Sequence, residues 1–198
     1  MSGALKTAVV GVGALGSHHA RIYHELPAAD LVAVVDRNGG RAADEARKYG
    51  CAVCTDYRDL IDLADAVSVA VPTVLHAEIG CALLEAGLHV LVEKPMTMTS
   101  EEGRELETLA DESGLIVCPT HNFLFSRSML RAKSLLTSGK AGDVESAMGI
   151  QLSSWRRRLP TWFSSLPGGL FFDEAPHLLY LMRYALGDLS VESAWLGS

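Results

Sequence analysis

No apolar run in the sequence comes near the length that spans a bilayer, about 20 residues. The opening residues Met1-Ser2-Gly3-Ala4-Leu5-Lys6 show no charged n-region, apolar h-region or small-residue cleavage site. No membrane partner is expected, and the cytoplasm is the expected location. Positive charge is also in short supply: 17 Lys and Arg stand against 24 Asp and Glu, a net charge of −7. Such a chain exerts no broad electrostatic pull on nucleic acid, so that class of partner is not expected. Cysteine is scarce as well, with Cys51, Cys54, Cys81 and Cys118 and one close pair. A single Cys-x-x-Cys without a second pair does not read as a structural zinc site. No metal is expected, and the thiols should be ordinary and mostly buried. Repeats and low-complexity linkers are missing too. What remains is 198 residues, 48% hydrophobic and 21% charged, enough for one large domain or for one complete domain and part of another.

The first half alternates strand-like and helix-like segments. Thr7–Val12, Leu31–Asp36, Ala66–Val71, His89–Val92 and Ile116–Pro119 read as strands. Ala14–Glu25, Gly40–Tyr49, the stretch from Thr73 to Ala86, and Ser100–Ser113 read as helices, the last with Ser100 as N-cap. Continuous apolar strands alternating with helices predict an α/β fold, a doubly wound parallel Rossmann sheet over residues 1–120. Residues 121–198 predict a partial α+β second domain. It should contain a helix at Ser128–Thr137, strands at Val144–Trp155 and Val191–Leu196, a loop at Arg156–Pro167 and a helix at Ala175–Leu186.

Gly11-Val12-Gly13-Ala14-Leu15-Gly16 joins the first strand to the first helix. Gly11 permits the tight turn, Gly13 lets backbone approach a pyrophosphate, and Gly16 lets helix pack on strand. The helix N-terminus then offers N–H groups to the phosphates. Asp36 ends the second strand and is placed to accept hydrogen bonds from a ribose. Its charge favours NAD over NADP; Arg37, next in the chain, keeps NADP possible.

Glu93-Lys94-Pro95 ends another buried strand. Strand ends line the ligand crevice of such sheets, and a lysine there can stabilise charge on a substrate oxygen. With Gly11–Gly16, Asp36, Pro72-Thr73-x-x-His76, Gly139-Lys140-Ala141-Gly142-Asp143-Val144 and Gly168-Gly169-x-x-x-Asp173-x-x-x-His177, the chain resembles the Gfo/Idh/MocA oxidoreductases over essentially its whole length. The resemblance implies an NAD(P)-dependent dehydrogenase acting on CH–OH groups of a sugar, cyclitol or sugar derivative. It implies Lys94, Asp173 and His177 as catalytic residues, His177 taking the hydroxyl proton. It further implies cofactor contacts at Pro72, Thr73, His76, Glu93, Lys94 and Asn122, and a homo-oligomer. The residues themselves leave Asp173 open as a helix N-cap and His177 as a core histidine. Asp173 and His177 share a helix face at four residues apart. Pro176 between them predicts that the pair lies in a first helical turn.

The chain departs from the family in three places. It is short, it has Tyr180 where an aspartate often follows the histidine by three, and it has Leu124 where an arginine is common. His121 and Asn122 are left as candidates near the nicotinamide. Trp155, Arg156 and Arg158 form either a pocket for an anionic or sugar substrate or a solvated strand end. Two other readings stand beside the dehydrogenase: a non-enzymatic dinucleotide-binding or regulatory module, and a fragment of a longer dehydrogenase.

Overall fold

Six apolar runs pair into one sheet: β1 (Leu5–Val10), β2 (Ala29–Val35), β3 (Ala52–Cys54), β4 (Ala66–Val69), β5 (His89–Val92) and β6 (Val117–Pro119). Every pairing is parallel and the spatial order is β3-β2-β1-β4-β5-β6. The computed structural model describes residues 3–152 and 169–195. Helices α1 (Gly16–Glu25), α2 (Gly39–Tyr49), α3 (His76–Glu85) and α4 (Ser100–Ser113) link the strands. Alternate strand residues point to opposite faces. Val9, Leu31 and Val34 pack with Ala20 of α1 and Ala46 of α2. Ala8, Val10, Val67, Val69, Val90 and Val92 pack with Leu83 and Leu84 of α3 and Leu106 of α4. Each buried Val or Leu among them contributes about 1.5–3 kcal/mol.

The sheet sets the site. Chain order builds outward from β1 in both directions, so a crevice opens at the carboxyl ends of β1 and β4. Gly11 follows β1, Asp36 follows β2, Val71-Pro72-Thr73 follow β4, and Glu93-Lys94 follow β5. The last ladder rungs fix these positions: Gly11 N–H donates to Val35 O (2.7 Å), and Glu93 N–H donates to Val69 O (2.9 Å).

Several expectations need correction. The edge strand β3 was not expected; three residues are too few to show periodicity. The N-cap of α4 is Thr99, not Ser100: the Thr99 side chain accepts from Glu102 N–H, and Glu102 reaches back to the Thr99 N–H. This reciprocal box satisfies two otherwise orphaned donors, which a serine one position later cannot do. Of the four free cysteines only Cys54 is buried; Cys118 is exposed on β6, at the edge of the sheet.

The chain divides into two units, Met1–Thr120 and His121–Ser198. The second has α5 (Arg127–Thr137) and α6 (Leu170–Leu186). The strands expected at 144–155 and 191–196 are not formed among the described residues: 144–152 and 191–195 have no regular structure. Their apolar side chains stay in solvent, with Met148 at 88%, Leu152 at 87% and Trp195 at 91% exposure. A strand needs a ladder partner, and the described residues of this unit offer none. The remainder of the first candidate strand, and the loop at 156–167, lie outside the described residues. Pro176 also departs from expectation: α6 begins at Leu170, so the proline sits inside the helix.

Candidate active site

The turn after β1 is one that glycine alone fits. Gly11 has φ of +86°, and a Cβ there would come within 2.6 Å of Ala70 O. A Cβ on Gly16 would run into Gly11 O, so α1 lies directly on the loop. Gly13 is different: a Cβ there meets nothing within 4 Å. The space above Gly13 is open where the α1 N-terminus begins. That terminus has no side-chain cap and no acidic residue in its first turn. An uncapped, unblocked helix start is the feature that accepts an anionic pyrophosphate. Ala14 and Leu15 are exposed beside it.

Asp36 is held at the end of β2 by three donors. Its Oδ2 accepts from Val12 N–H (3.1 Å) and from Arg41 (3.2 Å), and its Oδ1 accepts from Asn38 N–H (2.9 Å). One carboxylate therefore ties the glycine loop to the start of α2 and retains lone-pair capacity for a ribose hydroxyl. The residues present fit a dinucleotide: an open cradle, a bare helix start and an oriented acceptor. Arg41, which sequence reading missed, is the basic residue paired with Asp36; Arg37 is exposed and has no contact with it described.

Past β5 the peptide Lys94–Pro95 is cis. Glu93 is 8% exposed, and its Oε1 lies 2.9 Å from His19 Nε2. Its Oε2 accepts from Lys94 N–H at 3.1 Å. Burial pushes the Glu93 carboxyl up. The hydrogen bond and charge of His19, with the N–H and charge of Lys94, outweigh burial and leave it below the ordinary carboxylate value. Thr73 is buried. His76 is 1% exposed, with Nδ1 2.9 Å from Pro95 O and Nε2 2.9 Å from Val71 O. Both ring nitrogens face backbone carbonyls, and the ring bridges the turns after β4 and β5 from behind.

In the second unit, α6 carries Asp173 in its first turn and His177 one turn on, both buried. The N-cap is Gly169, which removes the reading of Asp173 as a cap. His177 Nδ1 lies 2.7 Å from Tyr180 Oη. Phe123 stacks on the His177 ring at 4.4 Å, and His121 stacks on Tyr180 at 4.0 Å. His121 Nδ1 is buried and has no hydrogen-bond partner among the described residues. Burial, and then the nearby His177 charge, hold the His121 pKa below its usual value. Asn122 opens a short 3₁₀ turn (Asn122–Phe125) and is exposed. Phe123 was missed from sequence, because its partner His177 lies far along the chain and no local pattern marks the pair. Trp155, Arg156 and Arg158 lie outside the described residues.

Residues 5–121 match the family described as "Oxidoreductase family, NAD-binding Rossmann fold". The chain belongs to this family, Gfo/Idh/MocA. It is 29% identical to levoglucosan dehydrogenase of Pseudarthrobacter phenanthrenivorans, over 98% of this chain and 54% of that protein. It is 32% identical to D-glucoside 3-dehydrogenase of Escherichia coli, over 97% of this chain and 57% of the relative. Among solved structures it resembles GenD2 from gentamicin A biosynthesis in complex with NAD. The TM-score is 0.82 at 31% identity, covering 94% of this chain and 55% of that one. The chain spans about half the length of the curated relatives it matches.

Proposed function

We propose that this chain binds NAD through Gly11–Gly16 and Asp36 and serves an oxidoreductase acting on a secondary alcohol of a sugar or cyclitol. The observation that carries the reading is the open space at Gly13 beside the anchored Asp36 carboxylate. Relatives named as glucoside and inositol dehydrogenases support the substrate class. When bound, NAD supplies the hydride acceptor. The residues of this chain supply the rest. His177 takes the hydroxyl proton, as a histidine does near neutral pH without much tuning. Lys94 donates a hydrogen bond to the oxygen on which charge develops. Asp173, one turn before His177 on α6, orients the substrate. NAD is preferred to NADP because the Asp36 carboxylate repels a 2′-phosphate, although Arg41 offsets part of that charge. No described helix is long and apolar enough to cross a membrane. A cytoplasmic homo-oligomer is the working assembly.

The test mixes purified protein with NAD and a panel of polyols, glycosides and inositols, and follows formation of reduced cofactor. Turnover that disappears in both Lys94→Ala and His177→Ala supports the reading. Tight NAD binding with no turnover on any member of the panel overturns the enzymatic part.

A further inference from the structure

Behind the glycine loop lies a polar chain that the dinucleotide reading does not use. It runs across the α1 face of the sheet, among apolar neighbours. Tyr23 Oη and Ser68 Oγ are 2.7 Å apart, Ser68 Oγ and His19 Nδ1 are 3.1 Å apart, and His19 Nε2 lies 2.9 Å from Glu93 Oε1. Glu93 Oε2 then accepts from the Lys94 N–H. Ser68 is fully buried, and Glu93 nearly so. One set of protons satisfies every member. Tyr23 donates to Ser68, Ser68 donates to Nδ1, and Nε2–H donates to the Glu93 carboxylate, which can only accept. A buried polar network is stable only when its members are satisfied, and each of these is.

The connectivity gives the network a direction. His19 belongs to α1, whose first residues face the open cradle at Gly13. Glu93 and Lys94 belong to the turn after β5. We propose that His19 is a positioning residue for Lys94: it holds the Glu93 carboxylate in the orientation that fixes the Lys94 backbone, and so couples α1 to the lysine. The proposal rests on the dehydrogenase reading for its effect on turnover, but not for its effect on Lys94. Asparagine and glutamine separate the two ring nitrogens. A Gln at position 19 places its amide where Nε2 reaches Glu93. An Asn places it where Nδ1 reaches Ser68, and leaves Glu93 alone. The two variants are matched in polarity and differ in which neighbour they reach, so the reactivity of Lys94 reads the Glu93 contact.

The charged and titratable groups facing Glu93 are His19 from α1, Lys94 beside it and His76 from α3; Tyr23 closes the network at Ser68. Without His19, burial acts on the carboxyl with less opposition.

The experiment uses His19→Asn and His19→Gln with three readouts. These are NAD affinity by fluorescence titration, kcat and KM across pH, and the labelling rate of Lys94 by trinitrobenzenesulfonate, located by mass spectrometry. Displacing the lysine should lower kcat roughly 10- to 100-fold in the Asn variant with NAD affinity held. Lys94 labelling should change by at least about threefold there, and the Gln variant should recover both. Equal behaviour of Asn and Gln, or unchanged labelling in both, overturns the proposal. If the wild-type protein turns over nothing, the dehydrogenase reading fails while labelling still decides the role of His19.

Discussion

Tyr180 gives His177 a neutral partner at a position where a carboxylate would carry charge. For His177 to take a proton at Nε2, Nδ1 must already hold one and donate it to the Tyr180 oxygen 2.7 Å away. Tyr180→Phe removes that acceptor, and the preferred tautomer is lost. We expect kcat to fall about tenfold with KM little changed, read from steady-state kinetics. Tyr180→Asp restores a charged acceptor, favours the imidazolium and moves the acid limb of kcat/KM to higher pH. A Phe variant with wild-type kcat would remove Tyr180 from the proton path. Asp36 makes the second prediction at this scale. Replacing it with serine deletes the repulsive charge and frees Arg41 from its ion pair. The NADP-to-NAD affinity ratio should rise by about tenfold or more, ~1.4 kcal/mol, in paired titrations. An unchanged ratio would show that Arg41 and Asp36 do not set cofactor choice.

At the scale of the element, the glycine loop separates folding from binding within six residues. Gly11→Ala puts a Cβ 2.6 Å from Ala70 O at φ +86°. It should cost about 1–3 kcal/mol of stability and lower the Tm. Gly13→Ala puts its Cβ where no protein atom lies within 4 Å, so the Tm should hold while NAD binding weakens because the methyl group occupies the cradle. The opposite pattern in thermal melts and titrations would place the ligand elsewhere. The same loop shows why so much was legible in the sequence. Glycine spacing, the apolar runs of β1, β2, β4 and β5, and Asp36 are local signals that the sheet only had to assemble. The His19–Ser68–Glu93 chain joins residues 74 positions apart, and no periodicity marks it. The start of α6 was misplaced because Pro176 suggested a first turn. The helix instead tolerates it inside, with Asp173 rather than the proline in the opening turn. Residues 144–155 and 191–196 read as strands, but a ladder is a tertiary property and the sequence cannot supply its partner.

For the molecule as a whole, pH links these sites to stability through His76. Burial, opposed by the carbonyls of Val71, Pro95 and Met96, holds its pKa below the ordinary 6.5. The unfolded chain therefore takes up a proton at a higher pH than the folded one. Stability is fully present above pH 6.5 and is lost as pH falls from there toward the folded value. His121 is depressed in the same direction and adds to the same slope from the second unit. Glu93, held below the ordinary carboxylate value of 4.5, acts only in a more acidic window. The wild-type melting temperature should thus fall between about pH 7.5 and about pH 5.5. His76→Gln stays neutral throughout and can still donate to one of the two carbonyls. It should melt lower at neutral pH, by about 1 kcal/mol of stability, yet show a shallower dependence on pH. Wild-type steepness retained in that variant would assign the slope to His121 alone, and the matching His121→Gln measurement would then show it.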